Sequence, residues 1–419
     1  MPSLLLPISS LLCGVALLLL GNGLLNTLLT VRGSAEGYSS TLLGLAMSGY
    51  FVGFLVGIWI ARPLIRRVGH IRVFAFYAAL AAATALMHVL VVDIWVWMVL
   101  RVLYGIALVT LYTVVESWLN AQTPGEQRGQ VFAIYMVVNL GSLALAQQLL
   151  QLDDPLNFTL FAVAAVLICC AVMPLAITRQ AQPPVPDTPH TNLRHLFNVA
   201  PIAVVASLLS GLALGAFWGM APVYAGLQGF SASDIGTLMS VTILGGAVLQ
   251  LPIGRLSDRF DRRTILIGVV ALATVVSVLI ALLSEKTPLM AMMFLFGGLS
   301  FAIYPIAMAQ LIDQLNPEEI LSGSSGLLML NGAGSAVGPL LAGVLMDAVG
   351  PTALPLYFAL MLGLLLAYAL YRRRHVTDLV SGNPGHFVPM VRTSHTVLEL
   401  MPDAPHDDES AQEPMRTAS

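Results

Sequence analysis

The chain has 419 residues, 57% of them hydrophobic and 10% charged, with a formal net charge of −3 and a mean hydropathy of +0.85. So little charge cannot solvate the surface of an ordinary soluble domain, and lipid must be the solvent that most of the apolar surface meets. Cys13, Cys169 and Cys170 all fall within apolar runs, so neither a disulfide framework, a metal site nor a cofactor is expected.

Taken in chain order, apolar stretches of about 18 to 25 residues recur, each able to cross a hydrocarbon layer roughly 30 Å thick as a helix. They predict spans at 8–30, 40–61, 73–92, 95–119, 131–150 and 157–178, then at 199–222, 235–254, 264–284, 287–312, 322–346 and 352–371. A β-barrel is excluded, because its strands would alternate. The first span reads as a retained helix and not a signal peptide: nothing basic precedes it, and it contains Asn22 and Asn26. Arg62, Arg66, Arg67, Arg72, Arg128, Arg179, Arg194, Arg255, Arg259, Arg262, Arg263 and Arg372 to Arg374 lie on alternate connections, opposed only by Arg32 and Lys286. The positive-inside rule makes that side cytoplasmic and brings both termini there, in a multi-pass inner-membrane protein.

The sequence repeats itself at a shift of 192 residues. GYSSTLLGLAMS from Gly37 matches GFSASDIGTLMS from Gly229, and the register continues through Leu64 with Leu256, Arg67 with Arg259, Gly105 with Gly297, Tyr112 with Tyr304, and Asn139 with Asn331. Two parallel six-helix units follow, related by an axis along the membrane normal. The predicted organisation is an N-terminal bundle at 1–178, a Pro-rich cytoplasmic linker at 179–198, a C-terminal bundle at 199–371, and a disordered, polar cytoplasmic tail at 372–419.

Polar residues concentrate on the first, fourth, seventh and tenth spans, which are expected to line a central cavity, while the third, sixth, ninth and twelfth are bland. Arg101 is the deepest charge, and an Arg there costs at least about 2.5 to 3.5 kcal/mol unless it faces water or a partner. It either receives an anionic substrate group or tunes a proton site, or it locks backbone carbonyls structurally. The first reading is preferred because lone intramembrane charges mark pathways. Tyr112 lies within about 20° of Arg101 around the helix, and Glu116 about 60° away and roughly 22 Å along it, too far for a direct pair. Glu116 is expected to latch Arg66 or Arg67, with a protonation-coupled role as the second reading. Asn22, Asn26, Trp218, Tyr304 and Asn331 complete the candidate substrate and coupling set. Gln147, Gln148 and Gln250 fit solute contact or cross-helix pairing equally well. The small residues of GAGSAVGPLLAG read as close helix contact before they read as a hinge.

GRLSDRFDRRTIL resembles the signature loop of the major facilitator superfamily, through Gly254, Leu256, Asp258, Arg259, Arg262 and Arg263. Asp261 replaces the family's usual Gly, and the first-half copy RPLIRRVGHIR keeps Arg67 and Gly69 but has Arg66 where the family has Asp. RVLYG from Arg101 is similar to the family's fourth-helix motif, whose Arg is linked to proton coupling, with Tyr104 in place of Gln. The Gly-Pro motif of antiporters belongs on the fifth helix, where NLGSLALAQQ lacks it. ESWLN together with RRVGHIR resembles the YcaD-like subgroup of bacterial transporters.

The resemblance implies an all-α membrane protein of twelve transmembrane helices in two six-helix parallel pseudo-repeats. Arg66, Arg67, Gly254, Asp258, Arg259, Arg262 and Arg263 would form its gating loops. The expected function is secondary transmembrane transport by alternating access, of a small polar or anionic organic solute coupled to protons. Proton-driven drug efflux and a non-transporting receptor are the alternatives. An enzyme is not expected, since no HExxH, GxSxG or carboxylate constellation is present. The expected partners are the lipid bilayer, the small-molecule solute and protons, with no nucleic acid, for a monomer.

Overall fold

The computed structural model describes residues 2–123, 127–176, 192–375 and 389–390. Among them, twelve helices are long and apolar enough to cross a membrane, and no strand occurs. They are α1 (Pro2–Ala35), α2 (Ser40–Val68), α3 (His70–Leu90), α4 (Ile94–Gln122), α5 (Arg128–Leu152) and α6 (Thr159–Ala176) in the first half. The second half supplies α7 (Pro201–Leu227), α8 (Ala232–Arg259), α9 (Arg262–Leu282), α10 (Lys286–Ile312), α11 (Ile320–Val349) and α12 (Ala353–His375). A short helix, Leu193–Val199, precedes α7.

Most helices outrun the spans read from hydropathy because hydropathy marks only the part inside hydrocarbon, whereas caps and turns set the ends. Ser39 accepts from the Leu42 N–H at the start of α2, Asp93 from Trp95 and Val96 at the start of α4, and Ser231 with Asp234 forms a capping box on α8. Gly69, at φ 93°, lets α3 begin where α2 stops.

The internal repeat is a repeat of packing as well as of sequence. A Cβ on Gly105 would lie 2.1 Å from the Tyr50 carbonyl oxygen, and one on Gly297 would lie 2.0 Å from that of Thr242, the residue 192 positions after Tyr50. Gly53 against Val102 and Gly245 against Phe294 repeat the match, both at 2.0 Å. The α2–α4 and α8–α10 crossings are therefore one backbone-to-backbone contact made twice. Gly334 and Gly338 of α11 close likewise on the carbonyls of Leu208 and Leu212 in α7, so GAGSAVGPLLAG serves helix contact.

α1, α4, α7, α10 and α11 sit deepest, with 61 to 72% of each span buried against 39% for α6 and α9, which leaves the latter two to face lipid. α3 is less bland than expected. It buries His70 and His88; the His88 ring lies 5.7 Å from that of Trp97, tilted by 59°, and His70 lies 3.1 Å from Ser117 Oγ.

The halves meet along α2–α11, α5–α8 and α1–α7. On the face opposite the arginine-rich connections the seal is tight. Asp347 of α11 accepts the backbone N–H groups of Ser40 and Thr41 at the start of α2, at 2.9 and 2.8 Å. On the other side of the interface Gln148 donates to Ser240 Oγ at 2.6 Å, and Ser240 donates to the Ala144 carbonyl at 2.7 Å.

Of the linker expected at 179–198, residues 179–191 lie outside the described residues, and the rest enter the short helix. Of the tail expected from 372, α12 takes residues 372–375, and beyond it only Pro389 and Met390 are described. Met390 is 5% exposed, which departs from the solvated tail that its polar neighbours suggest.

Candidate functional site: a central cavity around Arg101

The two halves enclose a cavity of about 110 Å³, room for several waters or one small organic solute. Its first wall is built on two asparagines one helical turn apart. Asn22 and Asn26 share a face of α1, and Asn26 Nδ2 donates to Asn22 Oδ1 at 3.2 Å. Asn26 Oδ1 in turn accepts from Arg101 Nη2 at 2.7 Å.

Arg101 is 2% exposed. Its guanidinium lies over the Tyr50 ring at 4.6 Å and the Tyr104 ring at 5.6 Å, an arrangement that steadies a cation without neutralising it. No carboxylate pairs with it among the described residues, and its Nε and Nη1 make no hydrogen bond there. A buried positive charge without a counter-ion is expensive on its own and strongly attractive to an anion that enters beside it.

Within each half, amides tie together the helices that line the cavity. Thr27 donates to Gln147 Oε1, and Gln147 Nε2 reaches the Gly23 and Leu143 carbonyls at 3.3 and 3.2 Å, tying α1 to α5. Across the cavity, Asn331 Nδ2 donates to the Ser207 carbonyl at 3.1 Å, and Ser335 donates to the carbonyls of Asn331 and Gly211. The remaining wall is aromatic: Trp218 of α7 packs on Phe301 of α10 with ring centroids 5.9 Å apart, and Phe51, Leu214 and Tyr304 extend it. One side of the cavity is thus cationic and amide-rich, and the other apolar.

Asn22, Asn26, Arg101, Tyr112, Trp218, Tyr304 and Asn331 all line this cavity. Glu116 does not. It is fully buried at the far end of α4 and accepts from Tyr135 Oη of α5 at 2.7 Å. Of the three glutamines, Gln147 lines the cavity, Gln148 bridges the halves, and Gln250 donates to the Phe301 carbonyl at 3.2 Å. The sequence reading omitted Tyr50, Phe51, Phe301 and Ser335. Tyr50 carried a usable signal, lying within one turn of Gly53, where the glycine repeat brings α2 against α4.

The gating-loop residues occupy the arginine-rich face. Arg66 and Arg67 are exposed in the last turn of α2, where cations suit the helix C-terminus. Arg262 bridges Asp258 of α8 at 3.3 Å and Asp313 at the end of α10 at 2.8 Å, an ion cluster that gathers three helix ends of the second half. Gly254 is buried in α8, Arg259 is exposed, and Arg263 is half-buried.

The model of the Major Facilitator Superfamily matches residues 11–233 and 203–400. The chain is 30% identical over 377 residues to a protein of Escherichia fergusonii named uncharacterized MFS-type transporter YcaD, covering 90% of this chain and 98% of that one. In fold it is similar to the nucleoside transporter NupG, with a TM-score of 0.74, 16% identity and coverage of 88% and 99%. It also resembles a bacterial homolog of the human lysosomal transporter Spinster in an inward-facing, occupied conformation, with a TM-score of 0.72, 15% identity and coverage of 90% and 99%.

Proposed function

Because this chain belongs to the Major Facilitator Superfamily, and is therefore a transporter and not an enzyme, we propose that it carries a small organic anion between its halves, coupled to protons. In this reading the arginine-rich face is the cytoplasmic face of a bacterial inner membrane, both termini lie on that side, and the protein acts as a monomer. The observation that carries the choice of an anion is Arg101, a buried guanidinium that no carboxylate among the described residues pairs with, on the wall of the cavity the halves share.

Binding then divides between the two walls. The anionic group seats beside Arg101, further polar groups meet Asn22 and Asn26, and the body of the solute lies against Trp218 and Phe301. The seals at Asp347 and at Gln148 close the arginine-poor face, so the arrangement described here gives access from the cytoplasm. Transport exchanges it for one in which those seals part and the arginine-rich ends approach. Proton coupling has a candidate site in the same seal: protonating Asp347 removes the charge that accepts two N–H groups, which favours opening towards the side richer in protons.

The test is a thermal-shift screen of purified protein against organic anions and their neutral analogues, followed by uptake into proteoliposomes with and without a pH gradient. Stabilisation by anions alone, with uptake that follows the gradient, is expected. Selective stabilisation by neutral or cationic amphiphiles would overturn the anion reading in favour of drug efflux, and uptake indifferent to the gradient would remove the protons.

A further inference from the structure

The chain leaves α12 at His375, yet Met390, fifteen residues later, lies inside the central cavity with Arg101, Trp218 and Asn331, and is 5% exposed. Fifteen residues reach at most about 50 Å, ample to return from a helix end to the middle of the bundle. The opposite face is closed where Asp347 holds the start of α2 and where Gln148 meets Ser240. α12 ends on the arginine-rich face, the one that these contacts do not close.

We infer that the tail segment centred on Pro389 and Met390 is a tethered occupant of the central cavity, which the transported solute has to displace. The side chain suits the place. Methionine is unbranched and polarisable, fills irregular apolar space and makes favourable contacts with aromatic rings, and the cavity wall formed by Trp218, Phe301 and Leu214 offers such a surface. Met390 stands in an apolar run, FVPMV, between charged and polar stretches of the tail. A short tether confers an effective concentration on the order of millimolar, so a weak site is occupied most of the time in the absence of solute. With Met390 in place about 110 Å³ of the cavity stays empty, so a solute larger than that space competes with the methionine side chain for it. Occupancy by the tail thus lowers the apparent affinity for solute by the fraction of time the cavity is open, and drawing the tail away raises it.

The inference uses the cavity but not the identity of the solute, so its test needs none. In full-length protein with Cys13, Cys169 and Cys170 replaced by Ser, Ser335→Cys is labelled with a water-soluble maleimide from the arginine-rich side of inverted vesicles. Adding Met390→Asp is expected to raise the labelling rate about tenfold, while Met390→Leu leaves it near the parent value. In a separate variant, Met390→Cys should react far more slowly in the folded protein than after unfolding in detergent. Equal labelling of Ser335→Cys with Met390 and with Asp at that position would overturn the inference, as would a Met390→Cys that reacts equally fast folded and unfolded. Failure of the anion screen above leaves both of these readouts intact.

Discussion

The carboxylate of Asp347, on α11, lies 2.9 Å from the backbone N–H of Ser40, on α2, and so joins the last turn of a helix in one half to the first turn of a helix in the other. A second N–H, that of Thr41, completes the grip at 2.8 Å. An anion at a helix N-terminus gains from both the orphan donors and the helix dipole. Asp347→Asn keeps the shape but loses the charge. It should shift the balance towards opening of the arginine-poor face by about 1 to 2 kcal/mol. Spin-label distances between α2 and α11 would lengthen on that face; unchanged distances would show that the close approach of Gly44 to Pro339 and of Gly343 to Ser40 alone maintains the seal.

Arg101→Ala should weaken binding of an anionic solute by about a hundredfold, the cost of leaving its negative group unpaired in a dry cavity. Arg101→Lys should restore little, because an ammonium lacks the planar stacking that Tyr50 and Tyr104 provide. Asn26→Ala, which removes one orienting acceptor, should cost about 1 kcal/mol. Calorimetric titration with the anion found in the screen measures all three.

Glu116→Gln should leave solute affinity within about twofold, since Glu116 is absent from the cavity wall, while lowering stability by about 1 to 3 kcal/mol through its bond from Tyr135. Tyr135→Phe should have a similar effect on unfolding. Loss of solute binding in Glu116→Gln with Arg101 intact would reverse the roles assigned here.

Gly105→Ala and Gly297→Ala should be equally damaging, because each places a methyl about 2 Å from a carbonyl oxygen of the neighbouring helix. A cost of about 1 to 3 kcal/mol or more is expected for each, read as loss of folded yield and a lower melting temperature. An effect confined to one half would contradict the equivalence of the two crossings.

Asp261, between α8 and α9, accepts from the backbone N–H and hydroxyl of Thr264. Burial pushes its carboxyl up, but these hydrogen bonds outweigh burial and hold it below its ordinary value. The stabilisation is therefore complete above the unfolded pKa of about 3.9 and is lost as the pH falls through the lower folded one. The protection factors of amides at the start of α9, which correct for the intrinsic pH dependence of exchange, should be flat from neutral pH down to about 4 and fall only below it, whereas Asp261→Ala should remove about 1 kcal/mol at neutral pH.

Spans, topology and the repeat were legible because lipid imposes them on composition: length and apolarity mark a crossing, and a shared register marks two related halves. The cavity residues Asn22, Asn26, Arg101 and Asn331 were legible for the complementary reason, since polarity inside an apolar span has few places to go. Glu116 obeys the same rule but satisfies it within its own half, and one sequence does not say which neighbour will do so. Phe51 and Phe301 carried little signal, because an aromatic ring suits lipid, core and cavity alike. Met390 carried none: five apolar residues in a polar tail acquire meaning only when the fold offers them a pocket.

The paired glycine crossings also govern how the molecule can move. Where α2 meets α4, and α8 meets α10, bare backbone abuts backbone, with no side chain between them to change rotamer and absorb a displacement. Each half is stiff along those seams, like a plate riveted across its middle. A push delivered at Trp218 or Arg101 is then spent on tilting one plate against the other and not on bending either.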